Sequence, residues 1–278
     1  MQSNTAVRKG WTRVRLAATA IVAIAACEAA FAQWPDYPSP RIPRKADGRP
    51  DRSAPAARTP DGKPDLSGIW KSESDPSGVL GGIEGIVAPR YMIDIMKDLA
   101  PDQVPIQPWA AALHRQRVAD SFKDNPMLLC LPAGVPRLDA YTHPFKIVQT
   151  PGLIVILYES MTLFRQIFVD GRELPKDPQP TWLGYSIGAW EGDTLVVHTS
   201  GFNDKTWLDG SGHPHSDAMH LVERFRRRDI GNLDIEVTID DPKAYTKSLT
   251  YTQRQTLLPD TDLIEYICNE NFEKPLKK

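Results

Sequence analysis

The chain has 278 residues, with 33 lysines and arginines against 35 aspartates and glutamates, so its formal net charge is −2. That balance argues against a nucleic-acid partner, because phosphate binding needs a net basic face. The length fits one large domain or two small ones.

Residues 1–32 read as a secretory signal. Arg8, Lys9, Arg13 and Arg15 give a positive start, Leu16 to Ala26 is an apolar stretch of 11 residues, and Ala30-Phe31-Ala32 suits cleavage before Gln33. An apolar stretch of that length is too short for a bilayer, which needs about 20 residues. No Arg-Arg pair lies in this start, which favours general secretion over the twin-arginine route. Ile24-Ala25-Ala26-Cys27 also resembles a lipoprotein signal box, which leaves membrane attachment through a lipid on Cys27 as an alternative. The expected location is therefore periplasmic or secreted. Cleavage removes four basic residues and Glu28, taking the charge from −2 to −5. Cys130 and Cys268 are then the cysteines left, an even count in an oxidising compartment, which predicts a disulfide; two separate buried thiols are the alternative.

From Gln33 to Pro64 prolines recur with few apolar residues between them, and an extended tether is expected over 33–65. The folded domain is expected over 66–278, opened by Leu66-Ser67-Gly68-Ile69-Trp70. A helical insertion is expected at about 88–125. Apolar spacing predicts one helix over Tyr91 to Leu99, and Pro108 suits the first position of a second that runs to about Phe122.

From residue 145 the hydrophobic period becomes two. Strands are predicted at 145–150, 153–159, 162–170, 181–190, 194–201, 218–228, 233–240, 249–257 and 262–269. Pro151-Gly152, Asp170-Gly171, Gly192-Asp193, Gly231-Asn232 and Pro259-Asp260 supply turns between them. In 233–240, Leu233, Ile235, Val237 and Ile239 share one face, with Asp234, Glu236, Thr238 and Asp240 on the other. No helical pattern separates the strands, so a mainly β fold follows: an antiparallel up-and-down barrel with a small helical insertion.

Gly68-Ile69-Trp70 ahead of a strand meander resembles the Gly-x-Trp start of lipocalin-like (calycin) β-barrels. That resemblance implies an interior for small apolar molecules, and some relatives are enzymes. The stretch from Cys130 to Asn271 resembles a family of uncharacterised exported bacterial proteins, which implies export.

Several motifs bear on chemistry. Gly184-Tyr185-Ser186-Ile187-Gly188 matches the Gly-x-Ser-x-Gly pattern of serine hydrolases, but another strand follows it where that chemistry needs a helix. Ser186 is therefore read as a strand residue. His213-Pro214-His215 offers two of the three or four ligands a metal needs. His143 is the obvious third, but a simple meander sets it at the opposite barrel end, so no metal is expected. The loop 202–217 is long for a compact domain and contains Phe202, Trp207 and Leu208; it reads as a lid over the barrel mouth or as a packed loop. In the strand 218–228, Glu223 shares a face with Met219, Leu221 and Phe225, whereas Arg224, Arg226 and Arg228 lie opposite as a solvated face. An inward carboxylate must be paired, hydrogen-bonded or protonated. It is either an acid–base group or the partner of an inward arginine such as Arg165 or Arg254.

These features lead to an exported small-molecule enzyme with acid–base chemistry (lyase, isomerase or hydrolase) at a barrel mouth. His215, Glu223 and Asp209 are the expected catalytic set, with Asp209 orienting the His215 imidazole. Asn203, Trp207, Tyr245 and His213 are expected to hold the substrate. A non-catalytic carrier of a small apolar ligand and an envelope interaction protein are the alternatives. No nucleotide loop, haem motif or flavin fingerprint is found, so no cofactor is expected.

Overall fold

The structure, a computed structural model, describes residue 39 and residues 41–74 and 88–268. The signal segment with Cys27, and the start of the proline-rich stretch, lie outside the described residues. Nine strands close a barrel in sequential order. They are β1 (Gly68–Ser72), β2 (Phe145–Thr150), β3 (Leu153–Tyr158), β4 (Phe164–Phe168), β5 (Tyr185–Glu191), β6 (Thr194–Ser200), β7 (His220–Arg227), β8 (Asn232–Asp240) and β9 (Leu249–Leu257). Two short α-helices, α1 (Arg90–Ile93) and α2 (Pro108–Ala119), lie in the insertion between β1 and β2. Among the described residues, no helix is long and apolar enough to cross a membrane.

The alternating pattern forms the wall as expected. Leu233, Ile235, Val237 and Ile239 of β8 are fully buried, and Leu221, Glu223 and Phe225 of β7 share the inward face with Arg227. The barrel is not antiparallel throughout, however. β4 pairs with β5 in parallel, through Ile167 with Ser186 and Phe168 with Ile187. After the Asp170-Gly171 turn the chain meets Pro175, Pro178 and Pro180, which remove ladder donors and prevent a return hairpin. It re-enters the sheet at Tyr185 running in the same sense as β4.

That crossover moves the ends of later strands. With one parallel step counted, the β6–β7 connection (201–219) lies at the same barrel end as the start of β2. His143 is thus at the end that holds His213 and His215, which corrects the opposite-end placement. The expected last strand, 262–269, is also absent from the wall. Tyr266 instead makes an isolated bridge to Ser160, and β1 closes the ring by pairing with both β2 and β9.

Residues 41–65 are not a free tether. They form two alike turns fourteen residues apart, Arg44 bridging to Pro50 and Arg58 to Pro64, each closed over an Asp-Gly pair. Arg44 grips Asp260, and Arg58 grips Asp193, each through two hydrogen bonds. The Ile230 and Gly231 amides donate to the carbonyls of Ala54 and Arg52, holding the segment against the β7–β8 turn.

The first helix is shorter than its apolar spacing predicts. Asp94 is extended (φ −151°), and the Ile95 amide donates to the Asp209 carboxylate at 2.9 Å instead of continuing the helix. Residues 133–140 are buried throughout and pack on the inward face of the wall. Gln253 Nε2 donates to the Pro136 carbonyl and Gln255 Nε2 to the Asp139 carbonyl. Much of the interior is therefore filled by the chain itself.

Cys130 and Cys268 form a disulfide, with Cα atoms 5.5 Å apart, that ties the insertion to the segment after β9. It is compatible with an oxidising, exported location. Replacing both cysteines by alanine is expected to destabilise the fold by roughly 2–5 kcal/mol in urea titration. An unchanged unfolding midpoint would contradict this contribution.

Candidate functional site

The inward positions of β3, β4, β5, β6 and β7 place Tyr158, Arg165, Ser186, Thr199 and Glu223 around one point, and the insertion adds Asp139. All six are buried. Arg165 is the hub. Its Nη1 donates to Glu223 Oε1 at 3.1 Å and its Nη2 to Glu223 Oε2, completing a fork. Nε donates to Ser186 Oγ at 3.1 Å and Nη2 to Thr199 Oγ1 at 2.8 Å, while Asp139 Oδ2 lies 3.6 Å from Nη1. Tyr158 donates its hydroxyl to Asp139 Oδ1 at 2.7 Å.

One cation serves two carboxylates here. Burial pushes Asp139 up to about 7, and the nearby Glu223 charge pushes the same way; Arg165 and the Tyr158 hydroxyl oppose it. For Arg165, burial would favour loss of its proton, but Glu223 more than offsets this and holds the guanidinium charged. Burial and the Asp139 charge raise Tyr158 well above its ordinary value, keeping it a proton donor. A carboxyl group whose proton is held to near neutral pH can exchange it there.

A pocket of about 390 Å³ opens in the wall beside the β4–β5 seam. Phe164, Phe168, Trp182 and Tyr185 supply aromatic surface, and Arg165 and Ser186 also line it. Phe164 is 63% exposed. Arg172 braces the rim, with its guanidinium 3.8 Å from the Phe168 ring centre and Nη1 donating to the Tyr185 hydroxyl. Gly184 permits this shape: its φ is +68°, and a Cβ there would meet Thr199 Cγ2 at 2.7 Å. A pocket of similar size between β1, α1 and β9, lined by Ser72, Arg90, Tyr91 and Gln253, reaches none of Arg165, Glu223 or Asp139.

The expected residues fall into separate groups. Glu223 points inward as expected, and its partner is Arg165. His215 is buried, with Nε2 2.6 Å from Thr206 Oγ1 and Nδ1 3.0 Å from the Ser216 carbonyl; neither nitrogen bonds Glu223. Burial lowers its pKa, keeping the ring neutral. Asp209 orients His213, not His215: His213 Nδ1 lies 2.6 Å from Asp209 Oδ2, and the His213 amide donates to Oδ1. Burial opposes ionisation of both, but their mutual attraction lowers Asp209 and raises His213.

Among the residues expected to hold substrate, Asn203 caps the Lys205 amide, and Tyr245 donates its hydroxyl to the Pro214 carbonyl. Trp207 is buried beneath the Arg117 guanidinium, 4.5 Å from its ring centre. The connection 202–217 is thus a packed cap. His143 stacks with Tyr141 and Tyr266 and does not belong to the donor group around His213. Of the basic run, Arg224 pairs with Glu191 and Arg228 with Asp234 on the outer face. Ser186 lies inside β5, and its hydroxyl is engaged by Arg165 and Thr199, so no hydrolase elbow forms.

Asp139, Tyr158 and Thr199 were not expected as site residues. Arg165 was one of the two inward arginines expected as a partner for Glu223, and it is the one that pairs with it. No protein-family model, curated protein or solved structure matches the chain.

The network makes two outcomes testable. Arg165→Met leaves two buried carboxylates without a cation and is expected to destabilise by roughly 3–5 kcal/mol. Glu223→Gln is expected to destabilise less, because Asp139 can then serve Arg165. Equal losses in urea titration would contradict the hub assignment. Asp139 also sets a pH dependence. Its folded value of about 7 lies above the ordinary 3.8, so the folded state holds the extra proton between them. The resulting stabilisation is complete below that ordinary value and is lost as pH rises through about 7. Asp139→Asn should flatten that slope in unfolding measurements from pH 4 to 8; an unaltered slope would assign it elsewhere.

Proposed function

We propose that this is an exported enzyme that acts on a small molecule by acid–base chemistry, with the substrate entering at the β4–β5 seam. The observation that carries the reading is shared lining: Arg165 and Ser186 belong both to the wall pocket and to the buried ionic set. Burying three ionisable side chains is no efficient way to stabilise a core, since well-packed apolar residues often do as well or better. Asp139 is the proton-exchanging group, and Glu223 fixes Arg165, which with Ser186 forms the polar inner boundary of the pocket. The aromatic rim suits an apolar or planar body. Asp139 Oδ2 has no hydrogen-bond partner although buried, which leaves this carboxyl oxygen free to take up or give a proton.

Closure of the barrel by the Gly68-Ile69-Trp70 strand supports the lipocalin-like comparison. The filled interior favours a site in the wall over a central carrier cavity. The disulfide supports a periplasmic or secreted location. The second reading is a non-catalytic binder using the same pocket.

Native mass spectrometry of protein isolated from its own cells tests this. A retained ligand is expected, lost from Phe164→Ala and Trp182→Ala but kept by His215→Gln. Asp139→Asn should retain a species of different mass, the unconverted substrate. The same mass in both would favour the binder, and a ligand unaffected by the rim substitutions would remove the pocket from the reading.

A further inference from the structure

A second group of donors lies where α1 meets the β6–β7 connection, and the acid–base reading does not use it. Asp94 follows α1 directly, and Asp209 and His213 come from the connection. One donor atom from each, all three within 4.8 Å of one another, forms a compact set. His213 Nδ1 is 2.6 Å from Asp209 Oδ2 and 3.9 Å from Asp94 Oδ1. A four-coordinate divalent metal with bonds of about 2.0–2.1 Å keeps adjacent donors about 3.3 Å apart. These two separations straddle that spacing, each within 1 Å of it, and the Asp94 and Asp209 donor atoms lie within 4.8 Å of one another.

The two segments are fastened together independently of these side chains. The Gly210 amide donates to the Met92 carbonyl at 2.7 Å, and the Ser211 amide and hydroxyl both donate to the Ile93 carbonyl at 2.8 Å. The donors are therefore preorganised across 115 residues of sequence. Asp209 and His213 are buried, whereas Asp94 is half-buried, which gives an ion a path from solvent.

A second imidazole fixes the His213 ring. His114 of α2 stacks on His213, with ring centres 4.3 Å apart and planes 8° from parallel, and its Nε2 is buried without a hydrogen-bond partner. His114 is not among the donors that lie within 4.8 Å of one another, so it walls the site beside His213 and is not one of its ligands. Arg117 directs Nη1 to the Gly212 carbonyl and lies over Trp207.

We infer that Asp94, Asp209 and His213 form a binding site for a divalent transition metal, with Zn²⁺ the best match. Two carboxylates balance the ion's charge, and the oxygen-rich set with one imidazole suits Zn²⁺ or Mn²⁺ over the softer Cu⁺. Three protein ligands leave a fourth position open.

The test uses the untagged, disulfide-bonded protein after exposure to EDTA and dialysis. Titration with Zn²⁺ by calorimetry, with elemental analysis of the product, should show one equivalent per chain. Asp94→Asn and His213→Gln should each weaken binding on the order of tenfold or more, since loss of even an outer-sphere partner costs 10–100-fold. His143→Gln should bind as the unaltered protein does. Co²⁺ in place of Zn²⁺ should give visible absorption bands that Asp94→Asn alters. Should His213→Gln fail to fold, the partly exposed Asp94 decides the matter alone. Absence of stoichiometric Zn²⁺ and Mn²⁺ binding, or binding indifferent to Asp94→Asn, would overturn the inference and leave Asp209 and His213 as an ion pair that shapes the cap.

Discussion

Closing an odd number of strands into a ring imposes a parity condition. Every antiparallel pairing reverses the chain direction, and the ring closes consistently only with an even number of reversals. Nine strands therefore need at least one parallel pairing, and this barrel places it between β4 and β5. A parallel step cannot be made by a tight turn. The proline-rich crossover is the consequence, and so is a seam with few ladder pairs where the wall opens into a pocket. The same step brings the β6–β7 cap and the insertion to one end, where α1 meets Asp209 and His213.

The ionic set depends on that opening. Arg165 on β4 and Ser186 on β5 flank the seam, so their side chains meet across the parallel pair on its inward face, behind the pocket that these residues help to line. Glu223 comes from the far side of the interior and Asp139 from the segment that fills it. The interior amides of Gln253 and Gln255 anchor that segment by its carbonyls, which positions the Asp139 carboxyl beside Arg165. A core of this kind trades packing simplicity for a carboxyl poised near neutral pH. Polar interiors tend to specify one arrangement when their members are satisfied. Here Arg165 is fully engaged, and several neighbouring oxygens are not.

The cap shows how a long connection becomes rigid. Trp207 lies under Arg117, Tyr245 bonds Pro214, His215 bonds Thr206, and the Ser216 amide and hydroxyl donate to Asp241. Each residue that looks like substrate-handling chemistry in isolation is occupied in holding the cap to its neighbours. The exception is the rim of the cap facing α1, where Asp94, Asp209 and His213 converge.

Local pattern alone determined much of this protein. Period-two alternation marked β2 to β9, with displaced ends, because an inward side chain must be apolar whichever strand lies beside it. The two remaining cysteines implied their own bridge, and the apolar company of Glu223 revealed that it faces inward. Only the tertiary structure decided the partners. Arg165 lies 58 residues from Glu223, and Ile95 lies 114 residues before the Asp209 that its amide bonds. Alternation records burial but carries no label for direction or neighbour, so the parallel step and the place of Asp139 were not legible, and the inward carboxylate narrowed its partner only to Arg165 or Arg254. Those features arise from closing the ring, a condition on all nine strands together that no single segment can express.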